Sequence, residues 1–461
     1  MSGASKNGEN PGIAALKTRP LQRNLVLTRL GLSAGTRIAA HEIANLFRGD
    51  QARQESDRTF YRDQAARLAD ELGRLKGSVM KVGQMLSLYA QYFLPPEAVE
   101  VLSGLQDSTP PVAWKSLQPV LVRALGRTRL AELEIDREPL ASASLGQVHR
   151  ARRRSDGAEL VLKIQYPGVA DAIESDIRTL SRLISMTRLA PRGLNLEPVY
   201  AEVKEMLHRE VDYLAEGEHT GRYRALLEAD RRYAVPQVYR EYSSDQVLAL
   251  SYEPGLNVRD ATVQALPESR RIALASAALE LFLRELFDWG MVQTDPHFGN
   301  YRIRVGPDCD QLVLLDFGAT RLFGRGFVDA YREMLRGALH RDREMMLRGA
   351  TGIGLMHDDF PPPVLDAFTG LCELIVEPFQ GGPGAPWRTA NGDYDWGGSD
   401  LPNRVGSKIA RDALSRWFRI PPREIVFLHR RLAGVFILIA ALDVCWDARP
   451  LLERFLEPAA V

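Results

Sequence analysis

The run Leu312-Val313-Leu314-Leu315-Asp316-Phe317-Gly318 is apolar and then ends on a carboxylate. That pattern predicts a buried strand with Asp316 at its mouth, behind which Gly318 lets the backbone turn away. Upstream, Asp295-Pro296-His297-Phe298-Gly299-Asn300 places an asparagine five positions after an aspartate. An amide oxygen and a later carboxylate are hard donors suited to Mg²⁺, a cation that keeps water and substrate phosphates as further ligands. A third element, Val161-Leu162-Lys163-Ile164, sets a lysine inside an apolar strand. Burying that ammonium costs solvation unless an anion meets it. Glu216 is a candidate partner on a long helix that follows.

Taken singly, these elements read equally well as an edge lysine, a solvated acidic face and a chance Asp-Phe-Gly. Their order decides: Lys163, Glu216, Asp295 with Asn300, then Asp316 is the order of a kinase nucleotide site. In that template Lys163 meets the phosphates and Glu216, Asp295 acts as base or water-orienter, and Asn300 and Asp316 hold Mg²⁺. Three details speak against an ordinary protein kinase. His340-Arg341-Asp342 lies after Asp-Phe-Gly, has Leu347 where asparagine is needed, and reads as a decoy on a charged helix. No Ala-Pro-Glu follows Asp316. The phosphate loop, Ala141-Ser142-Ala143-Ser144, lacks the glycines that let backbone amides approach phosphate closely.

With Leu145-Gly146-Gln147-Val148-His149, Lys163 to Val169, Asp295 to Asn300 and Lys81-Val82-Gly83-Gln84, the chain resembles the UbiB/ADCK family of atypical kinases. Lys81 to Gln84 matches that family's KxGQ signature. Gln293-Thr294-Asp295-Pro296 and Leu314 to Arg321 look most like its coenzyme-Q branch. The match runs from about Asp57 to Leu442, with Ser142 and Phe298 standing where the family often has alanine and proline. The resemblance implies an α+β, protein-kinase-like two-lobed fold with an N-terminal helical extension. It also implies that Lys81 and Gln84 face the nucleotide site and contact Glu210 and Asp212 of an ExD motif. Glu253 completes the candidate nucleotide-binding set. ATP and Mg²⁺ are the cofactors so implied, with ATPase-type turnover supporting ubiquinone biosynthesis in place of protein phosphorylation. A small-molecule or lipid kinase and a non-catalytic, nucleotide-gated scaffold remain alternatives.

The positioning elements follow from periodicity. Met1 to Pro20 reads as a polar, disordered tail without a signal peptide. Residues 21–136 form the helical extension, with a basic amphipathic stretch over Leu25–Phe47 and a long helix over Asp57–Tyr92 that carries Lys81 and Gln84. Lys81 and Gln84, three apart, share one face of it. Residues 137–255 form a small lobe with strands over Ala143–Arg150, Glu159–Gln165 and Gln246–Tyr252. Helices over Asp171–Thr187 and Pro198–Leu227 lie between the last two. Residues 256–461 form a helical lobe with a strand over Gln311–Leu315 and a bulging loop from Gly381 to Asp400.

Composition excludes several classes. The chain has 461 residues, with 59 Lys+Arg against 59 Asp+Glu, so no global field draws it to nucleic acid. Cys309, Cys372 and Cys445 are scattered, which argues against a disulfide framework or a zinc site. Ala433 to Leu442, the most apolar run, is half the length of a membrane span. The expected location is cytoplasmic, with peripheral inner-membrane contact left open. Besides ATP, a lipid or quinone-precursor ligand, quinone-biosynthesis proteins and a homodimer are the partners carried forward. Thr351 to Gly354, His208, His219, His357 and His429 offer neither a dinucleotide fingerprint nor metal-ligand spacing. Arg152 to Arg154 and His429 to Arg431 read as solvated or ion-paired runs.

Overall fold

From Glu159 to Gln165 the side chains alternate, with Leu160, Leu162 and Ile164 fully buried and Val161 and Lys163 half-buried on the other face. This period of two makes the segment a strand with one closed face. The computed structural model describes residues 59, 62, 63 and 66 and then 111–457, apart from 144, 188–196, 358, 382–385 and 413–420. The expected tail over 1–20, the Leu25–Phe47 helix, Lys81, Gln84 and Ser144 lie outside the described residues, as does most of the Asp57–Tyr92 helix. The chain divides into two units, one running to Gly217 and including Val238–Tyr252, the other made of Glu218–Gln237 and Glu253 onward.

In the first unit, helix α1 (Trp114–Ala131) buries Leu117, Val120, Leu121 and Leu125 at three- and four-residue steps. It packs on β1 (Leu133–Ser142) and β3 (Glu159–Gln165). With β2 (Gly146–Arg153) between them and β4 (Val247–Ser251) beyond β3, these form an antiparallel sheet in the order β1-β2-β3-β4. Strand β1 was not expected. Glu134 and Asp136 to Glu138 are charged and exposed, as suits an edge strand, and the alternation stops after Leu133 and Ile135. Its register shifts on both sides of Pro139. Buried His149 spans the first shift, its Nδ1 2.9 Å from the Asp136 carbonyl.

Helices α2 (Val169–Thr187) and α3 (Glu197–Glu210) pack together, and α4 (Tyr213–Leu227) crosses the boundary into the second unit. The single helix expected over Pro198–Leu227 is therefore two. Asp212 makes the break: its Oδ1 accepts the Ala215 N–H at 3.0 Å, and its carbonyl accepts the Glu216 N–H at 3.0 Å. Those bonds satisfy the orphan donors of a new helix start.

The second unit is built on α5 (Glu268–Leu283), which is apolar on nearly every face and ends in a π-turn over Arg284–Asp288. Two antiparallel pairs lie beside it: β5 (Met291–Gln293) with β8 (Thr320–Leu322), and β6 (Tyr301–Arg304) with β7 (Gln311–Leu314). Tyr233–Ala234 adds a short strand parallel to β7. Helices α6 (Arg325–His340), α7 (Arg343–Gly352), α8 (Pro362–Ile375), α9 (Leu401–Asp412), α10 (Arg423–Ala441) and α11 (Arg449–Leu456) complete it. Helix α10 packs on α5.

Two expectations are corrected here. The stretch 391–400 does not bulge: Tyr394 and Trp396 are buried, and Tyr394–Asp395 pairs with Cys445–Trp446. Its aromatics belong to the core, and only its glycines and aspartates look loop-like. His340 is the last residue of α6, and Arg341-Asp342 form the junction to α7, so the triplet does not lie within one helix. Arg341 adopts φ +57°, and Asp342 accepts the Met345 N–H at 3.0 Å as the cap of α7. The decoy reading stands. Cys309, Cys372 and Cys445 are free thiols. Among the described residues no helix is long and apolar enough to cross a membrane.

Leu162→Ala should cost about 2–5 kcal/mol as a buried cavity, read from the denaturation midpoint. Val161→Ala, on the half-buried face, should cost roughly half that or less. Equal losses would contradict the two-faced strand.

Candidate active site

Strand alternation turns Lys163 away from Leu162 and Ile164, onto the face where Tyr213, Leu248 and Leu250 cluster with Val161. There α4 begins, and its first turn carries Glu216. Lys163 Nζ lies 2.8 Å from both Oε1 and Oε2 of Glu216. The carboxylate is 2% exposed and the lysine side chain 15%. The Tyr213 ring sits 5.2 Å from the same ammonium. Gly217 lets α4 press on β4, since a Cβ there would meet Leu248 Cδ1 at 3.3 Å.

The loop between β1 and β2 is held short. Ala141 and Ser142 remain paired with Val148 and Gln147. Beyond them the Ala143 N–H donates to Gly146 O at 2.9 Å, and the Tyr166 N–H to Leu145 O at 3.0 Å. Gly146 is required at its position, because a Cβ would lie 2.5 Å from Ile164 O. Gln147, fully buried, accepts the Val112 N–H at 2.6 Å and ties the chain before α1 to β2. The loop is thus strand-paired on both sides, up to Ala143 and from Leu145. Asp212 serves as the cap of α4, and Glu210 is the last residue of α3.

The second unit gathers Asp295, Asn300 and Asp316 at strand ends. Asp295 follows β5, Asn300 precedes β6 directly, and Asp316 follows β7. The Leu315 N–H donates to Asn300 O at 2.9 Å, and Thr294 Oγ1 donates to Ala319 O at 2.6 Å, so both turns are stitched together. Asn300 Nδ2 lies 3.1 Å from both the Asp295 carbonyl and Asp295 Oδ2. Asp316 Oδ1 accepts the Gly318 N–H at 2.9 Å. Phe317 is buried with its ring centroid 4.5 Å from that of Tyr223. Glu253 pairs with Arg304 at 2.5 Å.

Beneath the Asp295 loop runs a buried polar chain. Arg431 lies 3.0 Å from Glu285, with the two side chains 4% and 1% exposed. Tyr223 donates to Glu285 Oε1 at 2.9 Å, and Arg431 Nη1 donates to Tyr301 Oη. Tyr301 then reaches Gln293 Oε1 at 3.3 Å, and Gln293 Nε2 donates to Asp295 O at 2.9 Å. Burial pushes the Tyr223 hydroxyl well up, and Glu285 adds to this, so Tyr223 stays a donor. Burial works against the Arg431 cation, but Glu285 with Tyr301 and Tyr223 together outweigh it and hold the guanidinium above its ordinary value. Beside this chain, Arg430 Nη2 donates to Asp295 Oδ1 at 2.7 Å.

A model of the ABC1 atypical kinase-like domain matches residues 104–349, just over half of the chain. The chain belongs to this family. Similar relatives include the mitochondrial atypical kinase COQ8 of Schizosaccharomyces pombe, 33% identical over 85% of this chain and 62% of that protein. COQ8 of Saccharomyces cerevisiae is 30% identical over 82% of this chain and 73% of its own length, and COQ8B of Rattus norvegicus 32% over 84% and 71%. Among solved structures, Rv3197 of Mycobacterium tuberculosis, solved as a complex with erythromycin, covers 88% of this chain and 100% of its own, with a TM-score of 0.59 and 24% identity. That likeness concerns the fold. The UbiB/ADCK resemblance and the kinase-like α+β fold are both borne out.

Within this ABC1-family chain, Lys163 meets Glu216 in the first unit, and Asp295, Asn300 and Asp316 lie together in the second. Arg430, Arg431 and Glu285 were missed as residues of the site. One signal was available: Glu285 and Arg431 each interrupt a strongly apolar helical run, Leu281 to Leu286 and Ile425 to Val435. A charge that deep must be paired.

Glu285→Ala leaves Arg431 buried without its carboxylate and should cost about 3–5 kcal/mol. Replacing both members by methionine should recover most of that loss in chemical denaturation. A double variant as unstable as the single one would show that the pairing is not the cause.

Proposed function

We propose that this ABC1-family protein binds ATP with Mg²⁺ and turns it over as an atypical kinase of ATPase type, in support of ubiquinone biosynthesis. The observation carrying this reading is the Lys163–Glu216 pair. A lysine held by both oxygens of a buried glutamate, yet still partly exposed, has its ammonium fixed in place to meet an incoming phosphate. The short Ala141–Ser142–Ala143 loop beside it would present backbone amides to the same phosphates, with Lys81 and Gln84 as the family's further contacts.

The donor set of the second unit fits magnesium. With its amide nitrogen bonded to Asp295, Asn300 has its oxygen left to face a cation, and Asp316 adds a carboxylate. Among the described residues, no group of three or more His, Cys, Asp or Glu could hold a metal alone. A cation here would therefore share its shell with phosphate oxygens and water, as Mg²⁺ does. When bound, it would neutralise charge on the transferring phosphoryl group. Asp295, with a fixed carboxylate, would orient the attacking water. The stiff loop disfavours transfer to a protein hydroxyl. The quinone role is drawn from the COQ8 relatives, whose names describe them as mitochondrial.

Mg²⁺-ATP at 100 times its dissociation constant should add about 2.7 kcal/mol of stability, visible as a raised melting temperature. Lys163→Ala and Asp316→Asn should each abolish most of that shift. An Asp316→Asn chain that binds Mg²⁺-ATP as well as the native protein would refute the metal assignment. A deletion strain should lose ubiquinone and regain it with the native gene but not with Asp295→Asn. Unchanged quinone content would remove the biosynthetic role.

A further inference from the structure

The segment Asp295 to Asn300 contains no lysine or arginine of its own. A cation nevertheless reaches its aspartate from a residue 135 positions away: Arg430 Nη2 donates to Asp295 Oδ1 at 2.7 Å. Asn300 Nδ2 lies 3.1 Å from the other carboxylate oxygen. The carboxylate is therefore held at both ends, once from its own turn and once from α10. The backbone beneath it is fixed separately, through the Asp295 carbonyl, by Gln293 and Asn300. Among the described residues, Arg430 is the side chain that holds this carboxylate from another element.

Helix α10 is built to make this contact. Gly434, one turn on from Arg430, presses on Pro296 so closely that a Cβ there would lie 2.0 Å from the proline ring. Arg431, the next residue along from Arg430, is clamped by buried Glu285. The register of α10 against the loop is thus fixed on two sides, and Arg430 has one place to go. Its side chain is 32% exposed, against 4% for Arg431. Arg431 is a buried strut, whereas Arg430 stands at the surface where a substrate could arrive. The matched family model spans residues 104–349 and stops short of α10.

We propose that Arg430 is a positioning residue for Asp295, fixing the carboxylate that orients the attacking group; the proposal rests on the ATP-turnover reading above. A carboxylate held at two points loses its rotation about the Cα–Cβ and Cβ–Cγ bonds. Released at one point, it can swing by about an ångström, enough to cost roughly 100-fold in rate. Nucleotide affinity, carried by other residues, is unaffected.

The test uses the full chain and Mg²⁺-ATP. Arg430→Gln should lower kcat roughly 10- to 100-fold, with KM and the Mg²⁺-ATP melting shift within about twofold of native. Arg430→Lys should recover part of the rate. In an Asp295→Asn background, Arg430→Gln should cause no further loss, since nothing remains to be positioned. Native turnover together with an Arg430→Gln rate within twofold would overturn the inference and leave the nucleotide reading standing. So would a rate loss fully additive with Asp295→Asn, or one that tracks a lowered melting temperature and is not rescued by lysine. A native chain without turnover would overturn both.

Discussion

The Glu285–Arg431 pair sets the terms for the second unit. Placing two opposite charges between α5 and α10 is costly, because desolvation of each ion rivals their mutual attraction. Such a pair contributes less to stability than apolar side chains of the same size would. What it does is restrict packing. Glu285 stands in the π-turn that ends α5, so the extra residue of that turn swings its carboxylate toward α10. Tyr223 and Tyr301 then complete its hydrogen bonds, and any shift in helix register would leave charged atoms unsatisfied. The Asp295 loop inherits its position from this restriction through Gln293.

The first unit solves the opposite problem. Lys163 and Glu216 are also a close pair, but only the glutamate is shut away. The lysine side chain is 15% exposed. A closed pair serves as a fixed support, while a half-open pair can accept a further anion without breaking. Burial therefore distinguishes the two ion pairs where residue types alone do not.

Much of this was legible in the sequence, for physical reasons that differ between elements. Strand β3 announced itself as a short apolar run, and Lys163 stood out as a charge inside it. Asp316 was visible at the end of an apolar run, and Asn300 by its spacing from Asp295. Strand β1 was hidden since its apolar alternation, Leu133 and Ile135, gives way at once to the charged Asp136 to Glu138. The break between α3 and α4 was hidden since the periodicity resumes in phase after Asp212, and only a cap marks it. The 391–400 segment misled because glycine and aspartate outnumber the two aromatics that anchor it. Glu285 and Arg431 lie 146 residues apart, and no local pattern links a buried acid to its base at that distance.

The same distance explains why the basic run at His429 to Arg431 looked unremarkable. Three polar residues in a row on a helix point in three directions, about 100° apart. Here one direction leads to the Tyr331 ring, one to Asp295 and one to Glu285. A solvated run would send all its charges outward, yet the neighbours Phe427, Leu428, Val435 and Phe436 are buried on several sides of α10. A helix closed on several faces must spend its polar residues inward, and each then needs a specific partner. Consecutive charges within an apolar helix are thus better read as separate contacts than as a patch. On that reading the Asp295 loop, which has no lysine or arginine of its own, takes its cation from α10.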